Sequence, residues 1–136
     1  MDKLIEQELK LYREILSINI EINKLLNESE VNIEELDKLI QKRDEKVDKI
    51  KELEKQLEVV WNNWEKYKDV VDKNKVIELR EILSKNLKLE EKIVELFKIK
   101  LEKVKFKLKD YDKGKKALHG YRQAKVNIPM FKSFKI

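Results

Sequence analysis

The sequence predicts an all-α protein, an elongated antiparallel bundle of three long helices followed by a C-terminal segment of different character. Charged residues make up 43% of the chain, and the bias toward Lys, Glu, Leu and Ile is typical of long helices. Apolar residues recur at spacings of three and four. Two glycines and one proline in 136 residues leave few turns for a sheet. We therefore expect a helical bundle at residues 1–113 and a separate segment at residues 114–136.

The first helix is expected at about residues 3–26, with Asp2 as its N-cap. Its apolar residues lie on one helix face, because they repeat at spacings of four, three and four. They are Ile5, Leu9, Tyr12 and Leu16, and Ile22, Leu25 and Leu26 continue the same face. The stretch NESEVN then supplies turn-forming residues, so the helix should end before it.

The second helix should begin after Asn32, which can cap the first turn while Glu35 occupies the capping-box position. No breaker follows until Asn74, so we expect about 40 residues of helix, a rod roughly 60 Å long. Two polar residues, Arg43 and Lys46, fall on the apolar seam. The stripe itself contains Leu36, Leu39, Ile40, Val47, Ile50, Leu53, Leu57, Val60, Trp61 and Trp64.

The third helix should run from Val76 to Tyr111. Its apolar stripe contains Val76, Leu79, Ile82, Leu83, Leu89, Ile93, Leu96, Phe97, Leu101, Val104, Leu108 and Tyr111. Asn86 and Glu90 lie close to this stripe, and we expect both to be boundary positions that face water. The alternative is a buried polar group, which would fix the helix register at some cost in stability.

Short connections between long amphipathic helices favour antiparallel neighbours with shallow crossing angles. The first helix is expected to be the shortest, so the other two should project beyond it as a two-helix coil. The apolar seam of that coil would need a partner, a second copy of the chain or the C-terminal segment to cover it. An exposed seam of this kind is the main functional expectation from the helical body.

The sequence offers no catalytic, metal or cofactor motif. His119 is the single histidine, and there is no cysteine for a disulfide or a thiolate metal site. KGKKAL lacks the spacing of a phosphate-binding loop. No run of apolar residues is long enough to span a membrane, and the N-terminus lacks a signal-peptide core. We expect a cytoplasmic protein that is not an enzyme and needs no cofactor.

The C-terminal segment carries the positive charge of the chain. The formal net charge is +5, but from Lys113 onward there are seven Lys or Arg residues and no acid, about +7, which leaves about −2 for the rest. Pro129 prevents a helix from continuing through this segment. Basic and aromatic residues together can bind single-stranded nucleic acid or an anionic membrane. Nucleic acid is disfavoured because the body has no basic face and no recognition motif. A membrane is disfavoured because Pro129 prevents a continuous amphipathic helix.

Two sets of residues are candidates for binding a protein partner. The aromatic set near the end of the second helix is more often core than a binding anchor, whereas the apolar end of the third helix should be exposed. The partner-binding candidates are Trp61, Trp64, Tyr67, Phe97, Leu101, Val104, Leu108 and Tyr111. The candidates in the C-terminal segment are Leu118, Tyr121, Arg122, Ile128, Met130, Phe131 and Phe134.

Two stretches resemble flagellar type III export chaperones of the FliT type. NIEELDKLIQKRDEKVDKI is similar to their second-helix segment, with Leu36, Leu39 and Arg43 at the L-x-x-L-x-x-x-R positions. The end of the third helix through KKALHGYRQ resembles their third-helix end, and Lys116, Leu118 and Tyr121 are the matching residues. The resemblance covers residues 5–123. The FlgN-type chaperones of the hook–filament junction are the second choice.

The resemblance implies a cytosolic chaperone that holds a flagellar axial protein, with the filament cap protein preferred, until it reaches the export apparatus and its ATPase. In that family the C-terminal segment can cover the client-binding surface. We therefore expect Met130, Phe131 and Phe134 to fold back over the exposed seam near Phe97 or Trp64. Two alternatives remain open, namely a structural coiled-coil scaffold that forms a homodimer or higher homo-oligomer, and nucleic-acid binding by the basic tail.

Overall fold

The structure, a computed structural model, describes residues 1–102 of the chain and the side chains of residues 1–100. This part is 87% helical and contains no strand, so the all-α prediction is confirmed for it. It has four helices: α1 (Asp2–Leu26), α2 (Ile33–Asn62), α3 (Trp64–Tyr67) and α4 (Lys73–Glu102). The predicted end of the third helix and the C-terminal segment lie outside the described residues.

The first helix has nearly the predicted bounds, but its N-terminus differs in detail. Met1 is the N-cap, without a side-chain cap, and Asp2 is the first helical residue rather than the cap. The carboxylate of Asp2 instead accepts a hydrogen bond from the backbone N–H of Asp72, at 3.2 Å. At the other end the Asn27 side chain donates to the carbonyl of Asn23 at 2.8 Å, which closes the last turn.

The predicted 40-residue second helix is wrong, although its start is right. The side chain of Asn32 accepts from the N–H of Glu35 at 3.2 Å, as the capping pattern predicts. The helix then stops at Asn62, because Asn63 leaves the helical conformation (φ −120°, ψ 42°). The Asn63 side chain donates to the carbonyl of Val59 at 2.8 Å, an example of local asparagine bonding that competes with the helical ladder.

A one-turn helix and a short connection then lead into α4, which begins three residues earlier than predicted. The side chain of Asp72 accepts from the N–H of Asn74 at 3.0 Å, so it caps the new helix. Asn74 was expected to end a helix, and it lies instead in the first turn of one.

The first helix is the central element of the arrangement. It packs closely along both α2 and α4, whereas α2 and α4 approach each other less closely. Two apolar clusters fill the interior. The first cluster contains Ile5, Leu9, Tyr12, Ile15, Val47, Ile50, Leu57, Val60, Trp61, Val71, Val76, Leu79 and Leu83. The second cluster contains Ile18, Ile22, Leu25, Leu26, Ile33, Leu36, Leu39, Ile40, Ile93 and Phe97.

The first cluster joins the N-terminal half of α1 to the C-terminal half of α2 and the N-terminal half of α4. The second cluster joins the C-terminal half of α1 to the N-terminal half of α2 and the C-terminal half of α4. The chain therefore runs in one direction along α1 and α4 and in the other along α2. Three helices contribute to the core at both ends, so the expected two-helix projection is absent from residues 1–102. The break at Asn63 explains the difference, since it limits α2 to 30 residues beside the 25 of α1.

Within the part of the chain that the structure describes, no helix combines the length and the apolar character that a membrane span requires.

Candidate functional site

The predicted partner-binding residues do not form one surface. Trp61 belongs to the first cluster and Phe97 to the second, and these lie near opposite ends of α4. Val76 packs in the cluster of Trp61, and the 21 residues from Val76 to Phe97 span roughly 30 Å of helix. One compact ligand cannot contact both places. The prediction thus divides into two separate sites at the two ends of the bundle.

At the first site the aromatic side chains are partly or wholly internal. Trp61 is only 1% exposed, whereas Trp64 and Tyr67 are half-buried against the first cluster. The rings of Trp61 and Trp64 are 6.0 Å apart at their centroids, tilted by 40°. The ammonium of Lys66 lies 5.7 Å from the centroid of the Tyr67 ring. Trp61 is therefore a core residue in this structure, and surface for a partner remains on Trp64 and Tyr67.

At the second site Phe97 is fully buried, at 0% exposure, so it supports the core instead of facing a partner. The ammonium of Lys100 donates to the carbonyl of Glu28, in the connection between α1 and α2, at 2.9 Å. Lys100 of α4 therefore lies level with the C-terminus of α1 and the N-terminus of α2. The helix α4 continues to Glu102. In the sequence, apolar residues at helical spacing continue after Lys100, at Leu101, Val104, Leu108 and Tyr111.

The remaining candidates lie outside the described residues, and their roles stay predictions. The side chain of Leu101 is among them, although its backbone belongs to α4. The others are Val104, Leu108, Tyr111, Leu118, Tyr121, Arg122, Ile128, Met130, Phe131 and Phe134.

A polar layer separates the two apolar clusters. The side-chain amide of Asn19 donates to the side-chain oxygen of Asn86 at 3.0 Å, and the amide of Asn86 donates to the backbone carbonyl of Tyr12 at 3.1 Å. Asn86 and Glu90 are both buried, so the expectation that they face water is wrong. They can be buried because α1 and α2 supply partners for their polar groups.

The same layer contains a buried ion pair between α2 and α4. The guanidinium of Arg43, at 0% exposure, donates to a carboxylate oxygen of Glu90 at 2.6 Å and to Asp44 at 3.2 Å. Glu90 itself is 8% exposed. The sequence places both Arg43 and Glu90 on or beside apolar seams, and this signal identifies Arg43 correctly as a seam residue.

The sequence analysis missed a pair of buried carboxyl groups in the first half of the bundle. Glu8 in α1 lies against Glu54 in α2. Burial raises the pKa of Glu8 from 4.5 to about 11, and the hydrogen bond and the negative charge of Glu54 act in the same direction. The helical spacing of Glu8 from Ile5 and Tyr12, and of Glu54 from Ile50 and Leu57, was the available signal.

Tyr12 lies close to this pair. Burial raises the pKa of its phenol well above the ordinary value, and the charges of Glu8, Glu54 and Glu90 add to the effect. These groups are nevertheless too few or too far apart for a metal centre: residues 1–102 hold no group of three acidic or other metal-binding side chains that could bind an ion. The arrangement can hold a proton, and it can fix the register of three helices.

Comparison of the chain with protein-family models, with curated proteins and with solved structures found no match. The function is therefore inferred from the sequence and from the geometry of residues 1–102.

Proposed function

We propose that the protein is a non-enzymatic cytoplasmic export chaperone. Its α1, α2 and α4 form an elongated antiparallel three-helix bundle that binds an apolar helix of a flagellar axial protein, with the filament cap protein preferred, and delivers it to the export apparatus. The observation that carries the proposal is the relation between α4 and its neighbours. The apolar stripe of α4 continues in the sequence beyond Lys100, where the contact with Glu28 marks the end of α1.

The stripe beyond Lys100 has the right chemistry for a client helix. Its apolar residues repeat at helical spacing; they are Leu101, Val104, Leu108 and Tyr111. This pattern is typical of a surface that binds an amphipathic helix in a groove. In residues 1–100, by contrast, the exposed large apolar side chains do not form such a helical stripe in the sequence; they are Met1, Ile20, Val59, Val70 and Ile77. Single exposed apolar residues are common on protein surfaces and need no partner. The proposal therefore assigns the client contacts to the apolar stripe that begins at Leu101.

The test is co-purification from the source cell, with two serine variants of the full chain. Val104→Ser/Leu108→Ser removes apolar groups from the stripe, and Lys105→Ser/Lys109→Ser is the matched control off the stripe. The proposal expects a filament-cap or hook-junction protein to co-purify with the wild type and the control, and at least tenfold less of it with the stripe variant. Equal recovery with all three would refute the assigned surface.

The second candidate is a structural homo-oligomer, and the same stripe favours it. An apolar stripe at helical spacing can pair with its copy in a second chain as a coiled coil. Light scattering over a dilution series distinguishes the two functions. A stable dimer that unfolds when it dissociates would support the scaffold, whereas a folded monomer or weak dimer supports the chaperone.

A further inference from the structure

The carboxyl groups of Glu8 and Glu54 are buried, and no cation of residues 1–100 lies within hydrogen-bonding distance of them. Glu8 is 0% and Glu54 8% exposed. No other hydrogen-bonding group in the described part of the chain reaches any of their four carboxyl oxygens. The two carboxyl groups lie close enough that Glu54 raises the pKa of Glu8. A hydrogen bond between two carboxyl groups requires that one of them carries a proton.

The surroundings of the pair are apolar or acidic. Both residues lie on the buried faces of helices that form the first cluster, to which α1 contributes Ile5 and Leu9 and α2 contributes Ile50 and Leu57. Two ionised carboxylates in such surroundings repel one another and lack water to solvate them. A single shared proton converts this repulsion into a hydrogen bond, as in other close carboxyl pairs.

In residues 1–100, the groups whose charges raise the pKa of Glu8, or of Tyr12 beside it, are all carboxyl groups. From α1 the neighbour is Tyr12, whose phenol oxygen has no hydrogen-bond partner among the described residues. The neighbour from α4 is Glu90, which is another acid. The cation of the polar layer, Arg43 of α2, is bound to Glu90 and Asp44. The net surroundings favour the protonated pair.

We propose that Glu8 and Glu54 form a proton-operated latch between α1 and α2. With the shared proton in place, the N-terminal half of α1 stays closed on the C-terminal half of α2. When the proton is lost, the two carboxylates separate and the first cluster opens, while the second cluster holds the other half of the bundle. This device is independent of the proposed chaperone function.

The opening should be local because of where the apolar contacts lie. The pair is in the first cluster, and the layer of Asn19, Asn86 and Arg43 separates that cluster from the second. Parts of a protein with separate apolar cores can open as separate cooperative units. The latch would thus expose the end of the bundle that contains Trp61 and Trp64 without unfolding the other end.

The direction of the pH effect follows from proton linkage. Because burial raises the pKa of Glu8 from 4.5 to about 11, the folded state binds a proton that the unfolded state has released over the pH range between these values. The stability contributed by the pair is therefore complete below pH 4.5 and is lost as the pH rises toward the folded-state pKa. For one proton the folding equilibrium constant falls about tenfold for each pH unit.

The test compares the full-length wild type with Glu8→Gln/Glu54→Gln, which keeps a neutral amide pair in place of the protonated pair. Glu21→Gln/Glu58→Gln is the control, since it changes exposed acids on the same two helices. Urea unfolding at pH 6, 7 and 8 is followed by tryptophan fluorescence, which reports the first cluster because Trp61 and Trp64 are the two tryptophans of the chain. Relative to the double amide variant, the wild type should lose about tenfold in folding equilibrium constant per pH unit.

The control variant should follow the wild type. An identical pH dependence for the wild type and Glu8→Gln/Glu54→Gln would overturn the proposal. If the amide variant does not fold, the infrared spectrum of the wild type decides. A carbonyl band of a protonated carboxylic acid at neutral pH, lost in base together with a red shift of the tryptophan emission, supports the latch, and the absence of that band at neutral pH overturns it.

Discussion

Replacing Arg43 by leucine should destabilise the protein by about 3–5 kcal/mol at pH 7, because it leaves the carboxylate of Glu90 buried without its cation. The structure supplies the conditions for so large an effect. The guanidinium is fully buried, and its distance of 2.6 Å from Glu90 is that of a charge-assisted hydrogen bond. Domains of this size have a total stability of about 5–15 kcal/mol, so the loss is a large part of it.

The assay is urea unfolding of the wild type and Arg43→Leu, followed by far-UV circular dichroism at pH 7. Replacing both partners, in Arg43→Leu/Glu90→Leu, should restore stability to within about 2 kcal/mol of the wild type, because an apolar pair needs no compensation.

The control is Arg13→Leu, which removes an ion pair of similar geometry from the surface. Arg13 and Glu78 are 3.0 Å apart, but their side chains are 58% and 53% exposed. An exposed pair contributes less than about 1 kcal/mol, since water solvates the remaining charge. If Arg43→Leu costs no more than Arg13→Leu, the polar layer is not buried in solution and the reasoning fails.

Three further predictions concern stability and use the same urea assay. Asn86→Leu should lower the free energy of unfolding by about 1–3 kcal/mol, because it removes the acceptor Asn86 from the buried amide of Asn19. The double variant Asn19→Leu/Asn86→Leu should recover most of this loss. Additive losses of the two single variants would contradict a direct hydrogen bond. Asn32→Ala should cost about 1 kcal/mol through loss of the helix cap, and Asn32→Ser should cost almost nothing. Leu57→Ala should cost about 2–5 kcal/mol, since this side chain is fully buried, whereas Val59→Ala on the exposed face should change stability by less than about 0.5 kcal/mol. Similar losses at the last two positions would mean that the assigned burial is wrong.

Local rules are enough to predict the helices and most of their core faces. The capping residue Asn32 and the turn-forming stretch at residues 27–32 act within a few residues of themselves, so the bounds of α1 and the start of α2 can be read directly from the sequence. The apolar periodicity likewise identifies core residues such as Ile5 and Leu79, because burial of one helix face needs no knowledge of the partner.

The break between α2 and α4 needed information that the periodic pattern does not carry. The apolar stripe continues through Trp61 and Trp64 with no proline or glycine, which favours one uninterrupted helix. The structure instead breaks the helix at Asn63, whose side chain and backbone N–H both donate to the carbonyl of Val59. This break makes α1 and α2 similar in length, and it removes the two-helix projection that the longer helix implied.

The candidate site illustrates the same limit. Position on a helix indicated that Trp61 and Phe97 are near the apolar face, but whether such a residue is core or surface depends on where the neighbouring helices end. The contact of Lys100 with Glu28 shows where they end, and Phe97, which precedes it by about one turn of α4, is fully buried. Partner binding by the residues after Lys100 stays a prediction.

By itself, the sequence determined the all-α class, the helix cap at Asn32 and most of the faces that turn inward, since these depend on propensity, hydrogen bonding and apolar spacing within one helix. Only the tertiary structure decided whether the polar residues on those faces are buried or exposed. Asn86, Glu90, Glu8 and Glu54 would each face water on an isolated helix. They are buried because a second helix brings a hydrogen-bond partner, a counter-charge or a shared proton to the same point, and residues far apart in the chain supply these.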